Sequence, residues 1–194
     1  MLAHVHGGLL NLSDLARSLD LAVPSVSHHL DILEGAFMLR RLQPYHANIS
    51  KRLVKSPKLY IRDTGLLHHL AGLRKPQDLD TWPGRGHSWE GFVLEELIRR
   101  AKLRWPAPSF YFWRTQAGAE ADLLIENGRT RLVIEIKAGA TLQSKSLLGI
   151  RQCMTDLRLN SGVVIYRGER ELRLAPGLRA IPWAKIEGGG WPGY

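Results

Sequence analysis

Residues 120–125, Glu120-Ala121-Asp122-Leu123-Leu124-Ile125, and residues 132–137, Leu132-Val133-Ile134-Glu135-Ile136-Lys137, decide the reading of this chain. Both runs are apolar enough to be buried strands, yet each carries charge. Side chains alternate between the faces of a strand, which predicts one shared face for Glu120 and Asp122 and one for Glu135 and Lys137. An acid inside Val-Ile-Glu-Ile-Lys is costly to bury without a partner or a cation. Carboxylates on neighbouring strands beside a lysine are what a metal-dependent phosphodiesterase needs. Asn127-Gly128 is a turn signal between the two runs, which therefore read as a hairpin.

The neighbouring elements extend this unit. A helix is predicted from Ser88, a candidate N-cap, through Ile98, with Phe92, Val93 and Leu97 on its apolar face. A strand follows at about 109–115, before the hairpin. Beyond it come a helix at about 143–157 and an apolar strand at 162–166. The order αβββαβ gives a mixed α/β (α+β) fold of roughly 100 residues, a normal domain size. Ile181–Ala184 is expected as a last edge strand, and residues 188–194 as a flexible tail. The single cysteine, Cys153, is placed on the buried side of the second helix. It excludes an internal disulfide and a thiolate metal cluster, and it points to the cytoplasm.

The first third reads differently. A short helix is predicted within 9–19, capped at Asn11 or Ser13. Pro24 opens a second helix that runs to about Glu34, with Val26, Leu30 and Leu33 buried. Ser25, Ser27, His28 and Asp31 fall on its outer face. Strands at 37–42 and 58–61 make a β-wing, so residues 1–80 are expected as a winged helix-turn-helix domain and 81–187 as the second domain.

The 194 residues carry a formal net charge of +9, which favours an anionic partner and places nucleic acid ahead of membrane. Between residues 40 and 62 every charged residue is basic: Arg40, Arg41, Lys51, Arg52, Lys55, Lys58 and Arg62. Ser25, Ser27 and His28, with the basic residues from Arg40 to Lys58, are the candidate DNA contacts. The alternative is that the winged helix packs against another domain. No apolar run approaches the roughly 20 residues of a membrane span, and the start has no signal-peptide pattern. His28 and His29 are a poor metal pair, since adjacent helical residues do not share a face.

Ser25–Glu34 resembles the recognition helix of bacterial winged-helix repressors of the arsenic-repressor type. The second unit resembles the restriction-endonuclease-like superfamily, whose signature is Asp…Glu-x-Lys. That resemblance implies one or two magnesium or manganese ions held by Glu90, Asp122 and Glu135. It makes Lys137 the catalytic cation, with Glu120 and Gln143 as possible additional residues. Ala121 stands where a proline often precedes the strand Asp.

The motifs Pro44–Arg52, Leu53–Leu67, Trp89–Val93 and Gly118–Asp122 are similar to the C-terminal half of a large prokaryotic family of AAA-type ATPases. That half comprises a winged helix and a restriction-endonuclease-like module, and its function is unknown. The resemblance implies a homo-oligomer or a separate ATPase partner. No Gly-x-x-x-x-Gly-Lys-Ser/Thr loop occurs in the sequence, so no nucleotide hydrolysis is expected from this polypeptide. If the basic stretch 51–62 faces an ATPase module instead of DNA, exposed apolar surface near residues 1–10 and 66–73 is expected to drive self-association.

Overall fold

The computed structural model describes residues 1–46 and 53–192. The chain divides into two compact units, Met1–Gln43 with Ser56–Phe92, and Pro44–Lys55 with Val93–Tyr194. The division falls at 92/93, where 80/81 was expected from the sequence. Glu90 therefore belongs to the first unit.

In the first unit, α1 (Leu12–Leu19) starts at Asn11, whose side-chain oxygen accepts the backbone N–H groups of Ser13 and Asp14 at 3.1 and 3.2 Å. This satisfies donors that an uncapped helix would leave open, and it settles the cap on Asn11. Asp20 ends the helix in the left-handed conformation. The second helix, α2 (Val23–Gly35), carries Pro24 in its first turn, where its missing N–H costs nothing. Strands β1 (Leu39–Pro44) and β2 (Lys58–Ile61) pair antiparallel, Leu39 opposite Ile61. Helices α3 (Thr64–Leu70) and α4 (Asp78–Thr81) follow. Leu15, Ala16, Val26, Leu30, Leu39, Leu59, Ile61 and Leu67 form one core. The helix–turn–helix and wing expected from the sequence are thus present as elements.

Helix α5 (Arg85–Arg104) spans the division between the units. The second unit then contains β3 (Ser109–Arg114), β4 (Glu120–Asn127), β5 (Thr130–Ile136), α6 (Leu148–Asp156), β6 (Gly162–Tyr166), β7 (Leu172–Ala175), β8 (Leu178–Pro182) and α7 (Trp183–Glu187). Its strands lie in the order β3-β4-β5-β6-β8-β7. Pairing is antiparallel from β3 to β5, parallel across β5, β6 and β8, and antiparallel between β8 and β7. The fold is mixed α/β, as expected. The β4–β5 turn sits one residue later than read from the sequence. Gly128 takes its first central position at φ 60°, the conformation a two-residue hairpin of this type asks of glycine. Every residue of β6 is buried, which suits a parallel strand covered on both faces.

Helix α6 closes one face of this sheet. Ile150 and Cys153 pack with Trp113, Leu124, Val133, Val164 and Ala180. Burial pushes the Cys153 thiol well above its ordinary value, as an unreactive core cysteine requires. The predicted helix is shorter than expected, because Ser144–Leu147 form a 3₁₀ turn before it. A Cβ built on Gly149 would lie 1.9 Å from the Glu120 carbonyl oxygen. Gly149→Val is expected to destabilise the protein by about 1–3 kcal/mol, because α6 must move off the start of β4. A lower urea midpoint would register this, and an unchanged midpoint would contradict the close approach.

Three expectations for the C-terminal region are corrected. The last strand is not an edge: β8 lies between β6 and β7, and Trp183 and Ala184 begin α7. The edge is β7, whose four residues are too short to stand out as a strand in the sequence. The tail through Pro192 is tied down. Arg179 Nη2 donates to the Pro192 carbonyl at 2.8 Å, and Trp191 stacks edge-on against Trp105 at 5.2 Å. No helix among the described residues is long and apolar enough to cross a membrane.

Candidate functional site

In the second unit, a β-bulge shapes the start of β4. Tyr111 faces Leu124 and Trp113 faces Ala121, so Asp122 and Leu123 together oppose the single residue Phe112. Ala121 and Leu124 consequently lie in the same core cluster, which strict alternation forbids. The extra residue falls after Ala121, so Glu120 and Asp122 keep the shared face expected from parity, and their carboxylates come within 4.8 Å of each other. Bulges re-aim side chains. Here Asp122, 6% exposed, turns its carboxylate to β5, where Oδ2 accepts the Ile136 N–H at 2.7 Å.

Glu135 is also buried, at 5% exposure, and accepts a hydrogen bond from Nζ of Lys137, the first residue after β5. Lys137 keeps about a quarter of its side chain in solvent. Asp122 and Glu135 are thus held on two adjacent strands, with Lys137 just past the end of β5. Glu120 lies beside the Asp122 carboxylate, and it also stands opposite Arg114 in the register and accepts from Arg114 Nη1 at 2.7 Å. Gln143 is exposed and precedes the 3₁₀ turn, its carbonyl accepting from Ser146 Oγ.

Within the first unit, three side chains hold Glu90. Its Oε1 accepts from Lys58 Nζ at 2.9 Å and from Tyr60 OH at 2.5 Å, and its Oε2 lies 3.4 Å from His87 Nδ1. Burial alone would raise the Glu90 carboxyl. The Lys58 ammonium and the donors from His87 and Tyr60 outweigh it and hold the carboxyl below its usual range. Lys58, expected at a DNA surface, is 2% exposed. A buried ammonium already on a carboxylate does not reach a phosphate, so Lys58 leaves the set of candidate contacts. The signal was in the sequence: Lys58 and Tyr60 stand two apart on one strand face, among otherwise apolar residues.

His6 completes this polar cluster. Its Nδ1 accepts the Ile61 N–H at 3.0 Å, which requires Nε2 to carry the proton and donate to the His87 carbonyl at 3.0 Å. A Cβ on Gly91 would lie 2.7 Å from that Nε2. Ser88, read as an N-cap, lies inside α5, its hydroxyl 2.7 Å from His68 Nε2.

Burial lowers the His6 pKa from 6.5 to about 4. The unfolded chain therefore binds a proton in this window that the folded chain does not. Stability is fully present above pH 6.5 and falls as pH drops toward 4, by about 3 kcal/mol in all. Urea midpoints measured across that window are expected to fall with pH in the native chain and to flatten in His6→Asn. Parallel slopes in the two proteins would remove His6 from the acid response.

The candidate DNA contacts divide. Ser25, His28 and Lys55 are exposed, and Ser27 and Arg40 are half-buried. Arg41 is committed to its own unit, donating to Glu34 at 2.6 Å and to Asp31 at 2.7 Å, and is withdrawn as a phosphate contact. Lys51 and Arg52 lie outside the described residues.

Comparison with known proteins adds two family matches. A family model described as "Domain of unknown function (DUF4143)" matches residues 85–186. A second, "Domain of unknown function (DUF8612)", matches residues 1–77. Among individual relatives, an uncharacterized protein of Mycobacterium tuberculosis and one of Mycobacterium bovis are each 45% identical over 187 residues. The alignment covers 96% of this chain and 41% of each relative, so the chain spans about two fifths of their length.

Proposed function

Since the chain belongs to the DUF4143 family, whose function is unknown, we propose that it is a DNA-binding protein with a magnesium- or manganese-dependent site for phosphodiester hydrolysis. The observation that carries this reading is the bulge at Asp122. It sets a buried carboxylate against β5 beside the Glu135-x-Lys137 pair. Buried acids on adjacent strands are hard oxygen donors of the kind magnesium and manganese take.

Asp122 would hold the ion together with Glu120, whose carboxylate lies within 4.8 Å of that of Asp122, and with Glu135 on the adjacent strand. When bound, it lowers the pKa of a coordinated water and offsets phosphate charge. Lys137, partly exposed, restrains Glu135 and faces the charge that grows on the phosphate during attack. Lys58 and Tyr60 share Glu90 Oε1, which leaves Oε2 as the ligand atom this residue would offer. On the resemblance of residues 44–67 and 118–122, the chain corresponds to the C-terminal half of AAA-type ATPases. It works in the cytoplasm with a separate ATPase partner or as a homo-oligomer.

One observation favours a second reading, a catalytically inactive DNA-binding or regulatory module. Three acids are matched by cations of the chain itself: Glu90 by Lys58, Glu120 by Arg114, and Glu135 by Lys137. Cleavage of supercoiled DNA in manganese separates the two. Nicking by the native chain that disappears in Asp122→Asn supports the enzyme. Equal nicking by both would come from a contaminant, and no nicking would leave the regulatory module standing.

A further inference from the structure

The outer edge of the second unit's sheet carries a charge arrangement that the proposed site does not use. On β7 and β8, Arg173 stands directly opposite Arg179. Opposed residues of an antiparallel pair share a face with Cβ atoms close together, and like charges there repel. Arg179 is partly buried and tied to the Pro192 carbonyl. Arg173 is exposed, and among the described residues it makes no ion pair. The two line a hollow of about 400 Å³ with Leu172, Ala175, Leu178 and Glu171, and Glu171 is held by Lys185 at 3.0 Å. The exposed Arg170 precedes the strand.

Arginines opposed in register on an open sheet edge suit one kind of ligand, an oxyanion that offsets their mutual repulsion. The net charge of +9 makes a polyanion the partner. We infer that the β7–β8 edge, through Arg173 with Arg170 and Arg179, is a contact surface for the phosphate backbone of nucleic acid. This rests on the DNA-binding reading above but uses a surface remote in sequence from the wing and α2. Phosphate contacts position a duplex without reading its sequence. The surface therefore contributes equally to every duplex.

The test is the salt dependence of binding to a 20-base-pair duplex, measured by fluorescence anisotropy with the full chain. Arg173→Gln is expected to weaken binding about three- to tenfold at low salt. It should also reduce the slope of log K against log salt by about one, the loss of one phosphate contact. Arg170→Gln combined with it reduces the slope further, by the same amount for two unrelated duplex sequences. An unchanged slope in both variants, with native binding intact, overturns this surface and leaves the DNA-binding reading standing. The same holds if Arg173→Gln self-associates while binding is unchanged, since Arg173 then only guards a sheet edge. Absence of any duplex binding by the native chain overturns both.

Discussion

Lys58→Met is expected to destabilise the protein by about 3–5 kcal/mol, the largest effect on stability among the single changes considered. Lys58 and Glu90 are both buried and lie 2.9 Å apart. Removing the ammonium leaves a buried carboxylate with Tyr60 and His87 as its remaining named partners. The cost is that of a stranded charge, not the net worth of the pair. The double variant Lys58→Met with Glu90→Leu is therefore expected to recover most of the loss. Urea denaturation of the native chain, both single variants and the double gives the cycle directly. Additive losses would mean that the two residues do not interact.

The second large effect falls on chemistry. Asp122→Asn keeps the size of the side chain and an oxygen that can accept the Ile136 N–H. The fold should hold, and DNA binding should be largely kept. Cleavage in manganese is expected to disappear. Lys137→Ala is expected to lower it by about 10²–10³-fold, the typical cost of removing one group that stabilises transition-state charge. Duplex affinity measured beside the cleavage rate separates lost chemistry from lost binding. Both variants cleaving at the native rate would place the activity elsewhere.

Much of this architecture was legible in the sequence because its signals are local. Asn11 caps the first helix, Pro24 opens the second, and the apolar runs of β4, β5 and β6 have few alternatives to a buried sheet. The mixed α/β class followed from their order. Pairing between distant residues was harder to read. Lys58 looked like one more cation in a basic stretch, and only the fold brings it to Glu90, 32 positions away. The bulge at Asp122 was hidden for a related reason. An extra residue leaves no mark in a run that already alternates, and it shows only against the partner strand. Strand β7 was missed because four residues with two charged neighbours carry almost no periodic signal.

Part of the apolar surface expected near residues 1–10 and 66–73 also has a counterpart in the fold. Met1, Leu19 and Leu70 are about half exposed, and they line a hollow with Leu15, Val26, Leu30 and Leu33. The residues named from the sequence, 1–10 and 66–73, supply part of its wall.

The most direct test of the central claim is isothermal titration of manganese into the native chain and into Asp122→Asn, with and without a short duplex. Saturable binding by the native chain, weakened at least about tenfold in the variant, is the expected result. Equal binding by the two proteins, or no saturable binding even with duplex present, would contradict a metal site on Asp122 and Glu135.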